Sequence, residues 1–422
     1  MKQSIEMKKS WLISENGFFS LPVVLFLLIL FSRDTFLFGT NANKYITFIP
    51  IGVMGIYVLV EFISQINSEK YHKKRGIIVA GIVLLAVYIA LSLYHQEFVS
   101  IMVLRFLCIL SAMLLTLHYD FKEFAEAFVK VMVLFTIAAL ILEVIVYAFR
   151  SIVPMLPQMY NSAGNYIINI GLAGVVSYEL NSTLIRAFGV FWEPGVFQIY
   201  LNLAILFELF ANQKPNWKHV VLFVLGIMIT FSTAGYIIVV GIFVLYCLFY
   251  GNINRKMLVT VSFIIGIAVF SLLFLDLTII EQKVFGKLLN SESGSTIARQ
   301  ASVFVNIKMF FDHPLLGIGM RNIEDEFMKL SAQMFPTMSK HNTNTLLYQF
   351  AAQGVVVGGI FTYGTYKFTY YFAKKKTLIL CLFVILLLLY VGENLKYSII
   401  PFSLMFYGIG ISRSERTKRG IL

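Results

Sequence analysis

Long apolar runs recur along the whole chain, and they restrict its fold more than any other feature of the sequence. Each run is close to the roughly 20 residues that a helix needs to cross the hydrocarbon core of a bilayer. Hydrophobic residues make up 59% of the chain and charged residues 13%, a balance that would cover a water-soluble protein with apolar surface. The sequence therefore predicts an all-α polytopic membrane protein that forms a single membrane domain over residues 1–422.

The apolar runs predict about 12 transmembrane helices. These are residues 17–32, 46–63, 77–94, 98–117, 131–149, 195–211, 219–232, 235–250, 257–275, 344–365, 377–391 and 397–412. Residues 219–250 are the least defined part, because this apolar stretch fits either two short helices that meet at 232–235 or one long kinked helix. One helix would place the lysines at 374–376 outside, so two helices are preferred. The first run continues into the segment RDTF without a small-residue cleavage site, which indicates a span rather than a signal peptide.

Basic residues collect on one side of the predicted membrane. Most of the 34 Lys and Arg residues fall before the first span, after every second span and after the last. Because cationic loops stay in the cytoplasm, both termini are predicted to be cytoplasmic. Two long loops, 150–194 and 276–343, are then outside, and they are predicted to carry short amphipathic helices. This sorting explains the net charge of +12 without nucleic acid, which is not expected as a partner.

The first outer loop ends in RAFGVFWEPGVF, which connects Arg186 to the start of the sixth span. Pro194 fits the first position of a helix, so the carboxylate of Glu193 is expected near the positive end of the helix dipole. An arginine beside a helix N-terminus is a good receptor for phosphate. We therefore interpret Arg186 and Glu193 as functional residues, whereas the aromatic residues between them fit an interfacial belt.

The second outer loop is predicted to contain two amphipathic helices. The first, 296–311, fits a helix at the membrane surface. Its polar residues are Arg299, Gln300, Asn306 and Lys308. The segment DHPLLGIGM ends this helix, because its proline and glycines break helical continuation. Asn322 then starts a second, acidic helix.

Two histidines of this loop differ in their expected roles. His341 lies just before the tenth span, and imidazole titrates near neutral pH, so His341 is a candidate general base. His313 precedes a proline and is interpreted as a structural residue.

Several kinds of site are not indicated by the sequence. The histidines and acidic residues do not have the spacing of a metal motif, and there is neither a nucleotide-binding P-loop nor a GxSxG elbow, so no metal and no cofactor are predicted. The three cysteines lie far apart within apolar runs, which gives no disulfide framework. Within the spans, Arg105 is expected either to form an ion pair with Glu143 or Glu208 or to reach a lipid phosphate, and the ion pair is preferred.

The segments RAFGVFWEPGVF, FSTAG, and HPLLGIGMRN followed by HNTNTLLYQFAAQG resemble Wzy-type O-antigen and capsule polysaccharide polymerases. These polymerases form one superfamily with the O-antigen ligases. The resemblance covers residues 186–365 in detail and the whole chain in topology. At the junction FSTAG, Thr233 stands where many relatives have an arginine, so one phosphate-binding cation is either missing or supplied from elsewhere.

The resemblance implies a metal-independent, inverting glycosyl transfer on the outer face of the bacterial cytoplasmic (inner) membrane. The donor would be a growing glycan on undecaprenyl diphosphate, and the acceptor a new lipid-linked repeat unit. A chain-length regulator and a flippase are further implied partners, beside the lipid bilayer itself. Arg186, Arg299 and Arg321 would neutralise the leaving diphosphate. His341 or Glu193 would accept the proton of the attacking hydroxyl.

Two alternatives stay open. A related ligase would pass finished glycan to a lipid or protein acceptor, and the sequence hardly separates it from a polymerase. A flippase or other transporter would perform no chemistry, and it should carry its polar residues within the spans rather than in the outer loops.

Overall fold

The computed structural model describes residues 19–39, 46, 48–65, 74–160, 166–177, 185–212, 214–250, 294–335, 342–373 and 375–411. The chain forms two compact units. Unit 1 comprises Met1–Ser68 and Leu114–Thr230, and unit 2 comprises Glu69–Met113 and Phe231–Leu422. The single membrane domain over the whole chain stays a prediction.

Apolar helices account for most of the described chain. In chain order they are α1 (Leu21–Leu30), α2 (Phe36–Gly39), α3 (Phe48–Gln65), α4 (Arg75–Tyr94), α5 (Val99–His118), α6 (Phe121–Ala148), α7 (Pro194–Phe210), α8 (Trp217–Ile229), α9 (Thr233–Tyr250), α10 (Gly294–Asp312), α11 (Ile323–Met334), α12 (Thr345–Phe368), α13 (Lys376–Gly392) and α14 (Ile399–Gly410). Short 3-10 helices follow α6 at Arg150–Met155 and α12 at Thr369–Tyr371.

The helices support a multi-pass membrane protein. Within the described ranges, five of them are long and apolar enough to cross a bilayer, namely α4, α5, α6, α9, and α12 with its 3-10 extension. Each predicted span that falls in the described ranges coincides with a helix. The predicted span 257–275 lies outside the described residues, and both the number of 12 spans and the cytoplasmic termini stay predictions.

Two helix boundaries show how local chemistry sets the spans. The helix α6 begins well before the predicted span 131–149, because the backbone N–H of Asp120 donates to the Glu123 carboxylate at 3.0 Å and so caps the first turn. Farther along, α8 ends at Ile229 and α9 begins at Thr233. The prediction of two short helices in this stretch is thus confirmed. Phe231 between them has φ of +47°, a conformation that ends a helix.

The first outer loop contains a four-stranded antiparallel sheet in the order β1 (Gln158–Tyr160), β2 (Tyr166–Asn169), β3 (Gly174–Ser177) and β4 (Arg186–Gly189). The prediction of amphipathic helices is therefore wrong for loop 150–194, and the chain is not entirely α-helical. The physical reason is that the strands are short and rich in aromatic and β-branched residues, and β2 is buried on both faces, so it lacks the alternation that marks a strand.

The sheet packs onto the segment that follows α1. Phe36, Ile167 and Phe188 form a buried cluster, and the backbone N–H of Phe36 donates to the carbonyl oxygen of Val190 at 3.1 Å. The side chain of Asp34 accepts a hydrogen bond from the hydroxyl of Tyr200 in α7 at 2.6 Å. These contacts fix the end of β4, and with it the chain from Arg186 to α7, within unit 1.

The second outer loop contains both of the helices that the sequence predicts, α10 and α11. The helix α10 packs against α12, and Ala301, Val305 and Met309 are fully buried. The sequence places Asn306 on the polar, exposed face of this helix. That prediction is wrong, because Asn306 is fully buried. The location of these helices at a membrane surface stays a prediction.

The helix α12 is interrupted in its middle, at Gly354, which has φ of +73° and ψ of −173°. An interruption leaves carbonyl groups of the preceding turn without their helical partners. The HPLLGIGM loop supplies those partners, because the N–H groups of Ile318 and Gly319 donate to the carbonyl oxygens of Ala351 and Ala352, each at 2.9 Å. Non-helical backbone is tolerated at membrane depth only where protein satisfies it in this way.

The interruption also forces two backbones into close contact. The N–H of Val355 donates to the carbonyl oxygen of Pro314 at 2.9 Å. A Cβ at Gly354 would lie 2.1 Å from the carbonyl oxygen of Leu315, and a Cβ at Gly317 would lie 2.4 Å from the backbone of Ala352. Both positions therefore require glycine, for space as well as for their positive φ.

We expect Gly354→Ala to lower the free energy of unfolding by about 2 to 4 kcal/mol, because it adds both backbone strain and a clash with the docked loop. Gly359→Ala is the matched control, since it lies in the same helix and nothing lies within 4 Å of its Cβ position. The control should be neutral or slightly stabilising. Thermal unfolding of the purified protein in detergent measures the difference, and equal effects of the two variants would contradict the docked loop.

Candidate functional site

The candidate residues of the first outer loop lie in unit 1. Arg186 is the first residue of β4 and is half-buried. Its Nε donates to the carbonyl oxygen of Thr230 at 3.0 Å. Thr230 is the C-cap of α8, where the helix dipole is negative and favours a cation. The arginine is thus oriented by a neutral group, and no carboxylate of the described residues forms an ion pair with it.

Glu193 occupies the N-cap position of α7, and its carbonyl oxygen accepts from the N–H groups of Val196 and Phe197 at 3.2 Å each. Pro194 is the first residue of the helix, as the sequence predicts. The carboxylate is half-buried, and within the described chain no hydrogen bond or ion pair holds it. Its position at a helix N-terminus places the carboxylate near the positive end of the helix dipole.

In unit 2, the HPLLGIGM loop is held by the short connection between α4 and α5. His95 Nε2 lies 3.1 Å from the carbonyl oxygen of Leu316, so this nitrogen carries the proton and donates it. Glu97 accepts a hydrogen bond from the backbone N–H of Met320. A Cβ at Gly319 would lie 2.7 Å from the ring of His95, which accounts for the second glycine of the motif.

Arg321 follows this loop and is exposed. Its Nη1 donates to the carbonyl oxygen of Gln96 at 3.0 Å, and its guanidinium carbon lies 4.6 Å from the ring centre of Phe98. Arg299, in the first turns of α10, is half-buried. Within the described residues, Arg299 has no hydrogen bond and no ion pair. Among the described residues of unit 2, no carboxylate lies within ion-pair distance of Arg299 or Arg321.

His341, the preferred general base, lies outside the described residues. The next two residues are described and are anchored to α10. The side-chain amides of Asn342 and Asn306 exchange two hydrogen bonds of 2.9 Å each. The hydroxyl of Ser302 accepts from the N–H of Thr343 at 2.8 Å. These bonds tie the start of α12 to the helix that carries Arg299.

His313, which the sequence assigns a structural role, closes α10. Its backbone N–H donates to the carbonyl oxygen of Met309, and its own carbonyl oxygen accepts from the N–H of Gly317, both at 3.0 Å. Its side chain is exposed. These are the backbone bonds of a helix C-terminus followed by a turn.

Within unit 2, Arg105 donates to the side-chain oxygen of Gln349. Its expected ion pair with Glu143 or Glu208 stays a prediction, because both of those residues belong to unit 1. Glu208 accepts from the backbone N–H of Asn216 at 2.7 Å and lies 3.1 Å from His219 Nδ1. The sequence could not distinguish these pairings, because each partner lies on a different helix and a neutral amide satisfies an arginine N–H as well as a carboxylate does geometrically.

Sequence reasoning missed the residues that position the site rather than those proposed to perform chemistry. Glu97, Asn306 and Gln349 are examples, and each makes its bond to a residue far away in the chain. A polar residue within an apolar stretch was the available signal, since such residues are usually satisfied by a specific partner. In the described parts of the chain, no group of three or more His, Cys, Asp or Glu residues could hold a metal ion.

The comparisons with known proteins concern the candidate residues between 219 and 362. A family model described as O-antigen ligase matches residues 219–362. No curated protein matches the chain. The matched segment includes the break between α8 and α9, the helices α10 and α11 and the interruption of α12, and it contains Arg299, Arg321 and His341. The match supports a relationship to the O-antigen ligase and polymerase superfamily, whose members are glycosyltransferase-like membrane enzymes, and it does not separate polymerases from ligases.

The carboxyl group of Glu97 predicts a pH dependence. Burial raises its pKa above the ordinary value of 4.5, although hydrogen bonds from the N–H groups of Met320 and Arg321 act in the opposite direction. The folded state therefore binds this proton more tightly than the unfolded state, so stability is lost as the pH rises from about 4.5 through the folded pKa. We expect Glu97→Gln to remove this loss. Thermal unfolding between pH 4 and 8 measures this change. The partly exposed Glu326→Gln is the control, and it should keep the wild-type dependence of stability on pH.

The Asn306–Asn342 pair predicts a coupled loss of stability. Replacing either residue with Ala leaves a buried amide without its partner, at a cost of about 1 to 3 kcal/mol. The double variant should cost less than the sum of the single ones, because the pair is lost only once. Asn322→Ala is the control, since the side chain of this N-cap makes no capping hydrogen bond. Additive single effects in chemical unfolding would contradict the pair.

Proposed function

We propose that the protein is a membrane glycosyltransferase that uses a glycan carried on undecaprenyl diphosphate, and that it polymerises lipid-linked oligosaccharide repeat units for O-antigen, capsule or exopolysaccharide. The family match over residues 219–362 carries this proposal, because it falls on the docked loop, the interrupted helix and the arginines of unit 2. The reaction takes place on the outer face of the bacterial cytoplasmic membrane.

The proposed reaction is a single displacement. A hydroxyl oxygen of the acceptor sugar forms a bond to the anomeric carbon of the donor, the bond from that carbon to the diphosphate oxygen breaks, and the configuration inverts. The proton of the hydroxyl passes to a base, and undecaprenyl diphosphate leaves. Negative charge develops on the leaving diphosphate, so positive groups placed there lower the barrier.

The residues of the chain are assigned to these steps as follows. Arg299 and Arg321 of unit 2 bind the diphosphate, and Arg186 of unit 1 is the third cation. Arg186 and Arg321 donate to backbone carbonyl oxygens, and Arg299 forms no hydrogen bond with the described residues. The positive charge of each arginine therefore stays available for an anion. His341 is the preferred base and Glu193 the second candidate.

A ligase is the second candidate function, and the description of the matching family as O-antigen ligase favours it. A ligase uses the same donor and the same leaving group. It differs in the acceptor, which is a lipid or a protein rather than a lipid-linked repeat unit. The residues assigned to the diphosphate and the base would keep their roles.

Replacing Arg299 with Ala should leave the protein in the membrane and abolish long surface glycan, because the leaving diphosphate loses a stabilising charge. Arg186→Ala and His341→Ala should do the same. Lys308→Ala is the matched control, because Lys308 is a cation of the same helix that pairs with Asp312 at 3.1 Å, and it should leave glycan length normal. Gel separation of surface glycan, with immunoblotting of membranes, is the measurement; long chains in all three variants would remove the proposed site.

Deletion of the gene separates the two transferases and the transporter. Loss of a polymerase leaves a single capped repeat unit, whereas loss of a ligase leaves long chains on undecaprenyl diphosphate. Purified protein that lengthens a lipid-linked repeat unit without added nucleotide or metal would support the polymerase. Purified protein that moves lipid-linked glycan across vesicles but forms no glycosidic bond would instead support a transporter.

A further inference from the structure

Arg105 in α5 is fully buried. Its Nη2 donates to the side-chain oxygen of Gln349, and its guanidinium carbon lies 4.3 Å from the ring centre of Phe402. Among the described residues of unit 2, its Nε and Nη1 have no hydrogen-bond partner, and no acidic side chain forms an ion pair with it.

A buried charge of this kind is unfavourable unless something else compensates it. Burial removes the hydration of the guanidinium group, and one amide oxygen and one aromatic ring replace only part of it. Structural arginines inside membrane proteins are usually paired with acidic groups, and unpaired ones face a cavity or a ligand. Two N–H groups of Arg105 are therefore able to donate to an anion.

Two tyrosines and a lysine of unit 2 lie near Arg105. Tyr348 is fully buried, its hydroxyl has no hydrogen-bond partner among the described residues, and both Tyr348 and Tyr397 are close enough to Arg105 to interact with it electrostatically. Lys396 Nζ lies 5.0 Å from the ring centre of Tyr348 and 5.7 Å from that of Tyr397. The side chain of Lys396 is 23% exposed, so a partly exposed cation and a buried cation are close to the same two tyrosines.

This group lies at the end of unit 2 where the HPLLGIGM loop is held. Gln349 and Phe402 are in the first two turns of α12 and α14, and Arg105 is in the second turn of α5. Lys396 forms an ion pair with Glu324, in the first turn of α11. The buried cation is therefore in the same unit, and near the same helix ends, as the loop that precedes Arg321.

We propose that Arg105 is the inner end of a binding site for a phosphate group, with Lys396 at its entrance. Phosphate is the ligand class that fits, because a guanidinium with free N–H groups forms short, charge-assisted hydrogen bonds to phosphate oxygens. Tyr348, whose hydroxyl is not held by a hydrogen bond, moves aside to admit the ligand. That the phosphate belongs to a polyprenyl diphosphate rests on the proposed function; free diphosphate has the same chemistry.

Gln349→Glu is the variant that tests the site, because it gives Arg105 a carboxylate partner in the place of the amide. A purely structural Arg105 gains an ion pair, so the variant should then be as stable as the wild type and bind ligands normally. A phosphate-binding Arg105 loses its free charge instead. We expect Gln349→Glu and Arg105→Gln each to weaken binding of undecaprenyl diphosphate at least tenfold, and Arg105→Lys to weaken it less than threefold.

Binding is measured with the full chain in nanodiscs, with undecaprenyl diphosphate in the bilayer and, separately, inorganic diphosphate in solution. Ser403→Ala is the control, since Ser403 is a buried residue next to Phe402 whose hydroxyl donates to the carbonyl oxygen of Ile399. Thermal unfolding of every variant shows whether it is folded. Weaker binding of both ligands supports a site for free diphosphate as well as for the lipid. Weaker binding of undecaprenyl diphosphate alone supports a site for the lipid. Unchanged binding in folded Gln349→Glu overturns it. The binding assay measures no transfer reaction, so the two proposals can fail separately. If the wild-type protein binds the lipid but forms no glycosidic bond in the transfer assay, the proposed function is refuted and the phosphate site is not.

Discussion

The interruption of α12 at Gly354 is the constraint on which unit 2 depends. A helix that stops and restarts inside an apolar environment exposes carbonyl and N–H groups that water cannot reach. The HPLLGIGM loop is bonded to these groups on both sides of the break, through Ile318, Gly319 and Pro314. The loop is consequently part of the helix packing rather than an appendage to it. Because the loop joins α10 to α11, both helices are placed by the same hydrogen bonds, and so is the chain that leads to Arg321.

The arginines assigned to the diphosphate share one electrostatic property. Arg186 and Arg321 donate to backbone carbonyl oxygens, and no described carboxylate forms an ion pair with either of them or with Arg299. An ion pair would orient an arginine equally well, but it would also neutralise the charge that an anionic leaving group needs. Carbonyl groups orient the side chain through their dipoles and leave the full positive charge in place. The carboxylate of Glu97 accepts hydrogen bonds from the backbone N–H groups of Met320 and Arg321, and it forms no ion pair with the guanidinium group of Arg321 among the described residues.

Sequence patterns predicted those parts of the molecule that are set by local composition, and missed those set by distant contacts. The spans of α4 and α5 follow from uninterrupted apolar runs, and the end of α10 follows from Pro314 and Gly317. The sheet was missed because strands of three or four residues are too short to show a period, and β2 is buried on both faces.

Gly354 looks no different in sequence from Gly359 in the same helix, although of these two glycines only Gly354 has a loop packed against it. Asn306 fits the polar face of an isolated helix, and its burial follows from Asn342, a partner that no local pattern reveals. Of the candidate site, the helix N-terminus at Glu193 could be predicted, but not the bond from Arg186 to Thr230.

Arg105 adds an argument about which kind of ligand unit 2 is built to hold. Burying an unpaired cation lowers the stability of the folded protein, so its position is understandable only if binding compensates for it. Binding that does so must bring negative charge, and a neutral sugar cannot. Lys396 differs from Arg105, because it forms an ion pair with Glu324. Glu324 is the more exposed partner, so solvent weakens this pair. A buried positive group, a partly exposed positive group and two tyrosines at the helix ends beside the docked loop together fit the anionic group of the proposed substrate. In a lipid-linked glycan this group is the diphosphate, which separates the sugar from the lipid.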